Sequence, residues 1–331
     1  MSSFLSKAAG CLAGVALGDA LGRATEFMTR EQIRARFGWL DHFAAPMDSH
    51  PGHADPLGSI SDDTEQTLII ARLLATGEPL TVERVAAALV AWARDNNGLA
   101  SPYLGPSTRR ALIRLLEGAS PYESGKQGTT NGAAMRVAPI GIIHTGDVEG
   151  ALRDAIAASI PTHNTCSAIQ GAAAVARAVA EAMTPDATLE RVIAAAREGA
   201  RRGREQGEWS WATPLEKRIE LAVRLVSEKD LSGLEDLTGL LADYVGVGLD
   251  PAESVATAMG IVVAARGDPM TAIFAGVNIG GDTDTISAIA GSVCGALRGV
   301  EALDAALVRE VERVNRLDLM ALARELVKHS N

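Results

Sequence analysis

Two segments far apart in the chain each place two aspartates and a hydroxyl side chain at the start of an apolar helical pattern. The segments are SISDDTEQT, with Ser61, Asp62 and Asp63, and GGDTDTISAI, with Asp282, Asp284 and Thr285. One aspartate is enough to cap a helix, and Asp62 followed by Glu65 fits a capping box. If the segments face each other, four carboxylates and two hydroxyls form an all-oxygen ligand set that suits Mg²⁺ or Mn²⁺.

Other polar segments have both a chemical and an ordinary interpretation. Glu26, just past the glycine-rich end of GVALGDALG, faces either a cleft or solvent. The loop at 128–132, GTTNG, leads into a helix whose free backbone N–H groups offer an anion site, although such loops precede many helices. His163 begins another helix and is more typical of a structural hydrogen bond. Trp209 and Trp211 either line a pocket or hold a loop on the core, and the second interpretation is preferred.

Helical periodicity dominates the chain, and strand-like alternation is nearly absent. The periodicity and the helix start and stop signals predict helices at 4–20, 63–76, 81–95, 106–117, 131–143, 147–159, 165–183, 188–202, 215–228, 252–266, 268–277, 284–298, 303–313 and 318–328. The longest irregular segment, 38–62, contains three histidines and three prolines. A loop of this length in a compact domain is more often functional than idle. We predict a single all-α domain over residues 1–331.

The composition excludes several classes of function. With 47% hydrophobic and 22% charged residues, the chain of 331 residues can bury a large core. Its net charge of -10 argues against nucleic acid as the main partner, because phosphate binding needs a basic surface. Cys11, Cys166 and Cys294 stand singly without zinc spacing, which indicates reduced thiols in the cytoplasm. The apolar start of the chain is interpreted as a buried helix, so we expect neither a signal peptide nor a membrane span.

The order of the motifs GDALG, SDDTEQT, TRRAL, TTNGAAMRVAPIG, THNTCSAIQGA and GGDTDTISAIAGSVCGAL resembles the ADP-ribosylglycohydrolase family, which includes dinitrogenase reductase-activating glycohydrolase. The resemblance extends from about Leu12 to Gly299. It implies a compact, all-α orthogonal helix bundle with a binuclear centre of two Mg²⁺ or Mn²⁺ ions. The metal ligands that it implies are Ser61, Asp62, Asp63, Asp282, Asp284 and Thr285.

The resemblance also implies roles for further side chains. Glu26 matches the glutamate that activates or positions water, and Asp95 lies where some arginine-specific relatives have a further acid near the scissile bond. Our hypothesis is that Asp62 or Asp95 assists the leaving nitrogen. The segment that holds the diphosphate and adenosine of ADP-ribose matches Gly128, Thr129, Thr130, Asn131, Gly132 and Met135, and His163 lies near the substrate. Family members often have Gly-Asn-Gly in this loop, whereas this chain has Thr130 before Asn131.

We therefore predict a metal-dependent hydrolase that cleaves the N-glycosidic bond between ADP-ribose and a modified side chain and releases ADP-ribose. Arginine is the preferred choice for this side chain. Two alternatives remain open. One is a glycosidase for serine-linked ADP-ribose or a nucleoside, and the other is a non-catalytic ADP-ribose-binding relative. The expected partner is an ADP-ribosylated protein or a small ADP-ribosyl substrate. We expect a cytoplasmic monomer without a nucleic-acid groove.

Overall fold

The computed structural model describes residues 3–95, 99, 104–227 and 233–330, and these residues form seventeen α-helices and no strand. The helices are α1 (Ser3–Gly22), α2 (Arg30–Phe37), α3 (Asp62–Leu74), α4 (Val82–Asp95), α5 (Pro106–Leu116), α6 (Pro121–Ser124), α7 (Ala138–Ile143), α8 (Val148–His163), α9 (Cys166–Ala182), α10 (Leu189–Gly203), α11 (Leu215–Ser227), α12 (Leu234–Tyr244), α13 (Pro251–Ala264), α14 (Pro269–Val277), α15 (Thr283–Arg298), α16 (Ala305–Asn315) and α17 (Leu319–Val327). Buried hydrophobic side chains form one cluster that extends from α1 to α17. The prediction of an all-α fold is confirmed.

Many of these helices begin at a side chain that accepts a hydrogen bond from the backbone of the first turn. Thr29 and Gln32 form a complete capping box at the start of α2. The other capping aspartates and threonines are Asp147 for α8, Thr165 for α9, Thr188 for α10, Asp250 for α13, Asp268 for α14, Asp304 for α16 and Asp318 for α17. The chain therefore marks most of its long helices with local signals that a sequence reading detects.

Helix α1 runs antiparallel to α15, and the two backbones are in direct contact. Glycines recur at every fourth position on the face of α1 that meets α15, namely Gly10, Gly14, Gly18 and Gly22. A Cβ atom at any of these positions would lie closer than 3.0 Å to the backbone of α15 or of the residues that follow it. Gly22 meets the backbone of Asp284, so the end of α1 lies against the start of α15. Among the described helices, α1 alone has the length and apolar composition of a membrane span, and its burial against α15 accounts for that composition.

The structure corrects the predicted elements around residues 131–163. The single helix predicted at 131–143 is a 3₁₀ turn, Asn131–Ala133, followed by α7 from Ala138. Pro139 is one reason, because it lacks the amide hydrogen that a continuous helix would bond to the Met135 carbonyl, whereas proline is accepted in the first turn of a new helix. His163 is the last residue of α8 and does not begin a helix, because α8 continues through Pro161. Helices α2, α6 and α12 lie where no helix is predicted.

We predict that Gly14→Ala destabilises the protein by about 3 kcal/mol, because the added methyl overlaps the Gly291 backbone and forces α1 away from α15. Denaturant unfolding followed by far-UV circular dichroism measures this loss. Gly233→Ala is the matched control, since nothing lies within 4 Å of its added methyl. It should cost less than about 1 kcal/mol. Equal losses in the two variants would contradict the close packing of α1 on α15.

Candidate functional site

The start of α3 is fixed by an aspartate that comes from α1. Asp19 is fully buried, and its carboxylate accepts hydrogen bonds from the backbone N–H of Ser61 at 3.0 Å and of Thr64 at 3.1 Å. The Thr64 hydroxyl donates to the same carboxylate at 2.5 Å. Ser61 is the N-cap of α3, and its Oγ accepts from the backbone N–H of Asp63 at 3.2 Å. The first turn of α3, from which Asp62 and Asp63 project, is therefore held both by its own cap and by α1.

The capping box predicted between Asp62 and Glu65 is wrong. Asp62 lies inside the first turn, and the cap is Ser61, one residue earlier. The Glu65 carboxylate accepts a hydrogen bond from Trp92 Nε1 at 2.9 Å and is turned towards α4. The backbone N–H groups at this helix start are satisfied by Ser61 and by Asp19 from α1, so no reciprocal box is needed. Neither acid of the pair Asp62 and Asp63 is occupied as a cap.

Glu26 reaches the same region from the turn that follows α1. The Phe27 N–H donates to the Gly281 carbonyl at 2.7 Å, and the Gly281 N–H donates to the Met28 carbonyl at 2.9 Å. This backbone pairing joins the turn to the segment before α15. Carboxylate oxygens of Glu26, Asp282 and Asp284 lie within 4.8 Å of one another, so these three side chains could hold a metal ion.

The acids of α3 and α15 face each other, as the metal interpretation requires. Thr285, in the first turn of α15, lines the same cleft as Asp63, and burial followed by neighbouring charges, that of Asp63 among them, raises the pKa of Asp284. Asp282 occupies the N-cap position of α15, but its side chain makes no capping bond. Its carboxylate accepts a hydrogen bond from Asn131 Nδ2 instead. Two helix starts therefore direct their carboxylates into one cleft, where the positive ends of the helix dipoles favour negative charge.

The cleft joins these acids to the loop before the 3₁₀ turn and to the long irregular segment. Its walls are formed by Glu26, Phe27, His50, Pro51, Asp62, Asp63, Leu104, Gly105, Pro106, Thr108, Thr130, Asn131, Gly132, Met135, Leu249, Asp282, Asp284 and Thr285. Phe27 is 61% exposed and has φ of 58°, a left-handed conformation that costs a non-glycine residue energy and recurs at functional sites. Sequence reasoning missed Phe27, His50, Pro51, Leu249 and the wall residues at 104–108. The long loop was a signal for His50 and Pro51, and the motif TRRAL at 108–112 was a signal for Thr108.

The buried acids of this cleft resist ionisation. Burial is the largest cause that raises the pKa of Asp62, Asp63 and Asp284 well above the usual range, and neighbouring carboxylates raise it further. Burial also raises the pKa of Asp282 to about 7, against the opposing hydrogen bond from Asn131. Among the described residues, Asp63 Oδ1 is buried and has no hydrogen-bond partner. Unsatisfied oxygen in a cluster of repelling carboxylates is the environment that a divalent cation stabilises.

A buried arginine lies behind the cleft and organises two chains of hydrogen bonds. Arg136 donates from one nitrogen to Gln66 Oε1 at 2.7 Å, and Gln66 Nε2 donates to Asp62 Oδ2 at 2.7 Å. Its other terminal nitrogen donates to the hydroxyl of Thr162, which contacts His163 Nδ1 at 2.7 Å. His163 Nε2 lies 3.0 Å from the hydroxyl of Thr130 in the cleft wall. Burial, and then the charge of Arg136, lower the pKa of His163 well below its usual value, so this imidazole is neutral.

The structure brings together most, but not all, of the side chains predicted for the site. Ser61 is buried as a helix cap, and Gly128 packs against the carbonyl of Thr162. Thr129 is exposed beside the cleft, and His163 is fully buried behind Thr130. Asp95 is the exposed last residue of α4 and is absent from the described walls of the cleft. The remaining predicted residues line the cleft, namely Glu26, Asp62, Asp63, Thr130, Asn131, Gly132, Met135, Asp282, Asp284 and Thr285.

The interpretation of Trp209 and Trp211 as a plug on the core is wrong. The two residues are 71% and 89% exposed, and their rings meet edge to face with centroids 4.8 Å apart. Their backbone segment is nevertheless fixed, since the Ser210 N–H donates to Cys166 Sγ at 3.3 Å and the Cys166 N–H donates to the Glu208 carbonyl at 2.8 Å. The rings line a hollow that shares Thr130 and Leu249 with the cleft, together with Thr129, Ser167, Ser210 and Asp250.

Comparison with known proteins agrees with the resemblance found in the sequence. The family model described as ADP-ribosylglycohydrolase matches residues 1–331. The chain is 34% identical to an uncharacterized protein, YegU, of Escherichia coli K12, over 97% of this chain and 96% of that protein. It is 30% identical to the ADP-ribosylarginine hydrolase Tri1 of Serratia proteamaculans, over 49% of this chain and 43% of that protein.

A solved structure titled as an ADP-ribosylglycohydrolase-related protein complex has the same fold. It superposes with a TM-score of 0.74 at 24% identity and covers the whole of both chains. The prediction of an ADP-ribosylglycohydrolase type of fold is confirmed.

We predict that the metal-free protein loses stability as the pH rises from about 4 to about 8. The folded pKa of Asp282, about 7, lies above the value of about 3.9 expected in the unfolded chain. The folded state therefore retains a proton that the unfolded state releases, and the stabilisation present at low pH is lost as the pH rises through 7. Urea unfolding in a chelating buffer should show a loss on the order of 3 kcal/mol. Asp282→Asn is the matched control and should make this dependence shallower, because Asp62, Asp63 and Asp284 still release protons on unfolding. An unchanged slope would contradict the assignment.

Proposed function

Since this chain belongs to the ADP-ribosylglycohydrolase family, we propose that it hydrolyses the N-glycosidic bond between ADP-ribose and an arginine side chain. It is an enzyme of the glycohydrolase type, as the family and its named members are. The observation that carries the proposal is the cleft in which the helix starts of α3 and α15 place their acids opposite each other, with Glu26 beside them. The arginine linkage is supported by the name of the Serratia relative.

We propose that the cleft binds two Mg²⁺ or Mn²⁺ ions. The donors are all oxygen, which suits these hard cations, and the buried Asp63 Oδ1 without a partner fits a metal ligand. The residues that would hold the ions are Asp62, Asp63, Asp282, Asp284 and Thr285. Ser61 would position this set through its cap on α3. When bound, the ions would supply Lewis-acid polarisation of substrate oxygens.

The protein side chains have separate tasks in this proposal. Glu26, beside Asp282 and Asp284, would accept the proton of the attacking water as the bond to the leaving nitrogen breaks. Of the two acids considered for the leaving nitrogen, Asp62 lines the cleft, whereas Asp95 is exposed at the end of α4. We therefore assign assistance of the leaving group to Asp62.

Thr130 would bind an oxygen of the substrate. Arg136 can only donate hydrogen bonds, so the hydroxyl of Thr162 accepts from it and donates to His163 Nδ1. His163 then carries its proton on Nε2 and donates to Thr130 Oγ1. The hydrogen of the Thr130 hydroxyl is thereby directed away from His163 and towards an acceptor such as a phosphate oxygen.

The alternatives differ in the ligand that the cleft would bind and in whether it is hydrolysed. A glycosidase for serine-linked ADP-ribose or a nucleoside would use the same acids, so only the linkage of the substrate separates it from our proposal. A non-catalytic binder is disfavoured, because every proposed metal-ligand position still carries an oxygen donor. We further propose that the enzyme acts as a cytoplasmic monomer on ADP-ribosylated proteins, which is consistent with three free and buried cysteines.

We predict that Asp284→Ala abolishes turnover of ADP-ribosyl-arginine while the protein stays folded, because a proposed ligand is lost from the cleft. Release of ADP-ribose in Mg²⁺, in Mn²⁺ and in chelator measures the activity, and circular dichroism checks the fold. Asp95→Ala is the control and should keep full activity, since Asp95 lies outside the described cleft walls. Full activity of Asp284→Ala, or hydrolysis of serine-linked or nucleoside substrates in preference to the arginine linkage, would overturn the proposal.

We predict that Trp209→Ala with Trp211→Ala raises KM for ADP-ribosyl-arginine about tenfold, because an exposed aromatic surface beside the cleft can stack on the adenine base. KM for phosphoribosyl-arginine, which has no base, should not change. Steady-state kinetics with both substrates measures the difference. Trp39→Ala, in a separate surface hollow beside α12, is the matched control. An equal rise in KM for both substrates would show that the tryptophans do not contact the base.

A further inference from the structure

His50 connects the long irregular segment 38–62 to the acid cluster. Its Nε2 lies 2.7 Å from Glu26 Oε2, and the side chains of both residues are largely shielded, with 5% and 12% exposed. Glu26 is in turn one of the three acids whose oxygens converge with those of Asp282 and Asp284. The histidine is therefore one contact away from the centre of the cleft.

The hydrogen on His50 has a defined position. The backbone N–H of Gly52 donates to His50 Nδ1 at 3.0 Å, and a backbone amide can only donate. Nδ1 is consequently an acceptor, and the ring proton of the neutral imidazole lies on Nε2. Nε2–H then donates to Glu26 Oε2, so the loop fixes both the tautomer and the direction of the bond.

The segment that carries His50 is held in place by its own backbone and by Arg23. Successive turns are closed by His50 N–H to the Met47 carbonyl at 2.8 Å and by Asp55 N–H to the Gly52 carbonyl at 3.0 Å. The buried guanidinium of Arg23, just past α1, donates to Asp55 at 2.7 Å and to the Ser59 carbonyl at 2.9 Å. The loop is thus anchored to the same end of α1 from which Glu26 extends.

We infer that His50 is a positioning residue that holds the Glu26 carboxylate beside Asp282 and Asp284. This inference rests on the proposed function, in which Glu26 accepts a proton from water. A glutamate on a turn has several rotamers, and a donor that occupies one oxygen removes most of them. The turns around His50 are then part of the catalytic apparatus through one hydrogen bond, although His50 itself touches no reacting atom.

Two substitutions separate positioning from a purely structural role. The amide of His50→Gln places an N–H donor near the position of Nε2, whereas the amide of His50→Asn reaches only the position of Nδ1. His50→Asn can still accept from Gly52 and keep the loop, but it loses Glu26. We expect His50→Asn to lower kcat for ADP-ribosyl-arginine about tenfold or more, and His50→Gln to keep kcat within about threefold of wild type. KM should change little in either variant.

The opposite ranking, or equal kcat values for the two variants, would overturn the inference, because a histidine that only holds the loop is replaced better by asparagine. His53→Asn, an exposed histidine in the same segment, is the control and should leave kcat unchanged. Nitrogen-15 NMR of the imidazoles tests the contact without any substrate, and His50 should be protonated at Nε2 and not at Nδ1. Wild-type protein that hydrolyses no ADP-ribosyl substrate would refute the proposed function, whereas a proton on Nδ1 would refute the inference about His50.

Discussion

The contact between the backbones of α1 and α15 is the constraint on which the rest of the site depends. Four glycines at helical spacing remove every Cβ from that face of α1, and Gly291 and Gly295 do the same on α15. Interhelical approach at this distance is available only to such small residues. Because the helices are antiparallel, the contact ends where the last turn of α1 meets the first turn of α15. Glu26 and Asp284 come from opposite sides of that junction.

The same junction also sets the position of α3. Asp19 lies one turn before the end of α1, and its carboxylate binds the backbone of Ser61 and Thr64 at the start of α3. The end of α1 and the starts of α3 and α15 therefore meet at one place, where their acidic side chains repel one another. Burial makes this repulsion unfavourable for the metal-free fold, as the raised pKa values of Asp62, Asp63 and Asp284 indicate. Residues that weaken a fold in this way are retained where they have a function.

Much of this arrangement could be predicted from local patterns. The apolar period located the long helices, and paired acids at two helix starts indicated an oxygen-lined site. The capping box of Thr29 and Gln32 at the start of α2 is also a local pattern that the sequence contains, although no helix was predicted there. What could not be predicted depends on contacts between distant residues. The role of Asp19 as a cap for α3 and the burial of His163 behind Thr130 are set by packing, which spacing along the chain does not encode.

Around the cleft, groups that can only donate hydrogen bonds determine the orientation of side chains that can both donate and accept them. Gln66, His163 and His50 each have two possible hydrogen-bond orientations in isolation. Arg136 selects one orientation of the Gln66 amide and, through Thr162, one tautomer of His163, while the Gly52 N–H selects one tautomer of His50. Each chain of bonds ends on a residue of the cleft wall, at Asp62, Thr130 or Glu26. The hydrogen bonds that these wall residues make with the protein are therefore set before substrate binds, so binding requires little reorganisation.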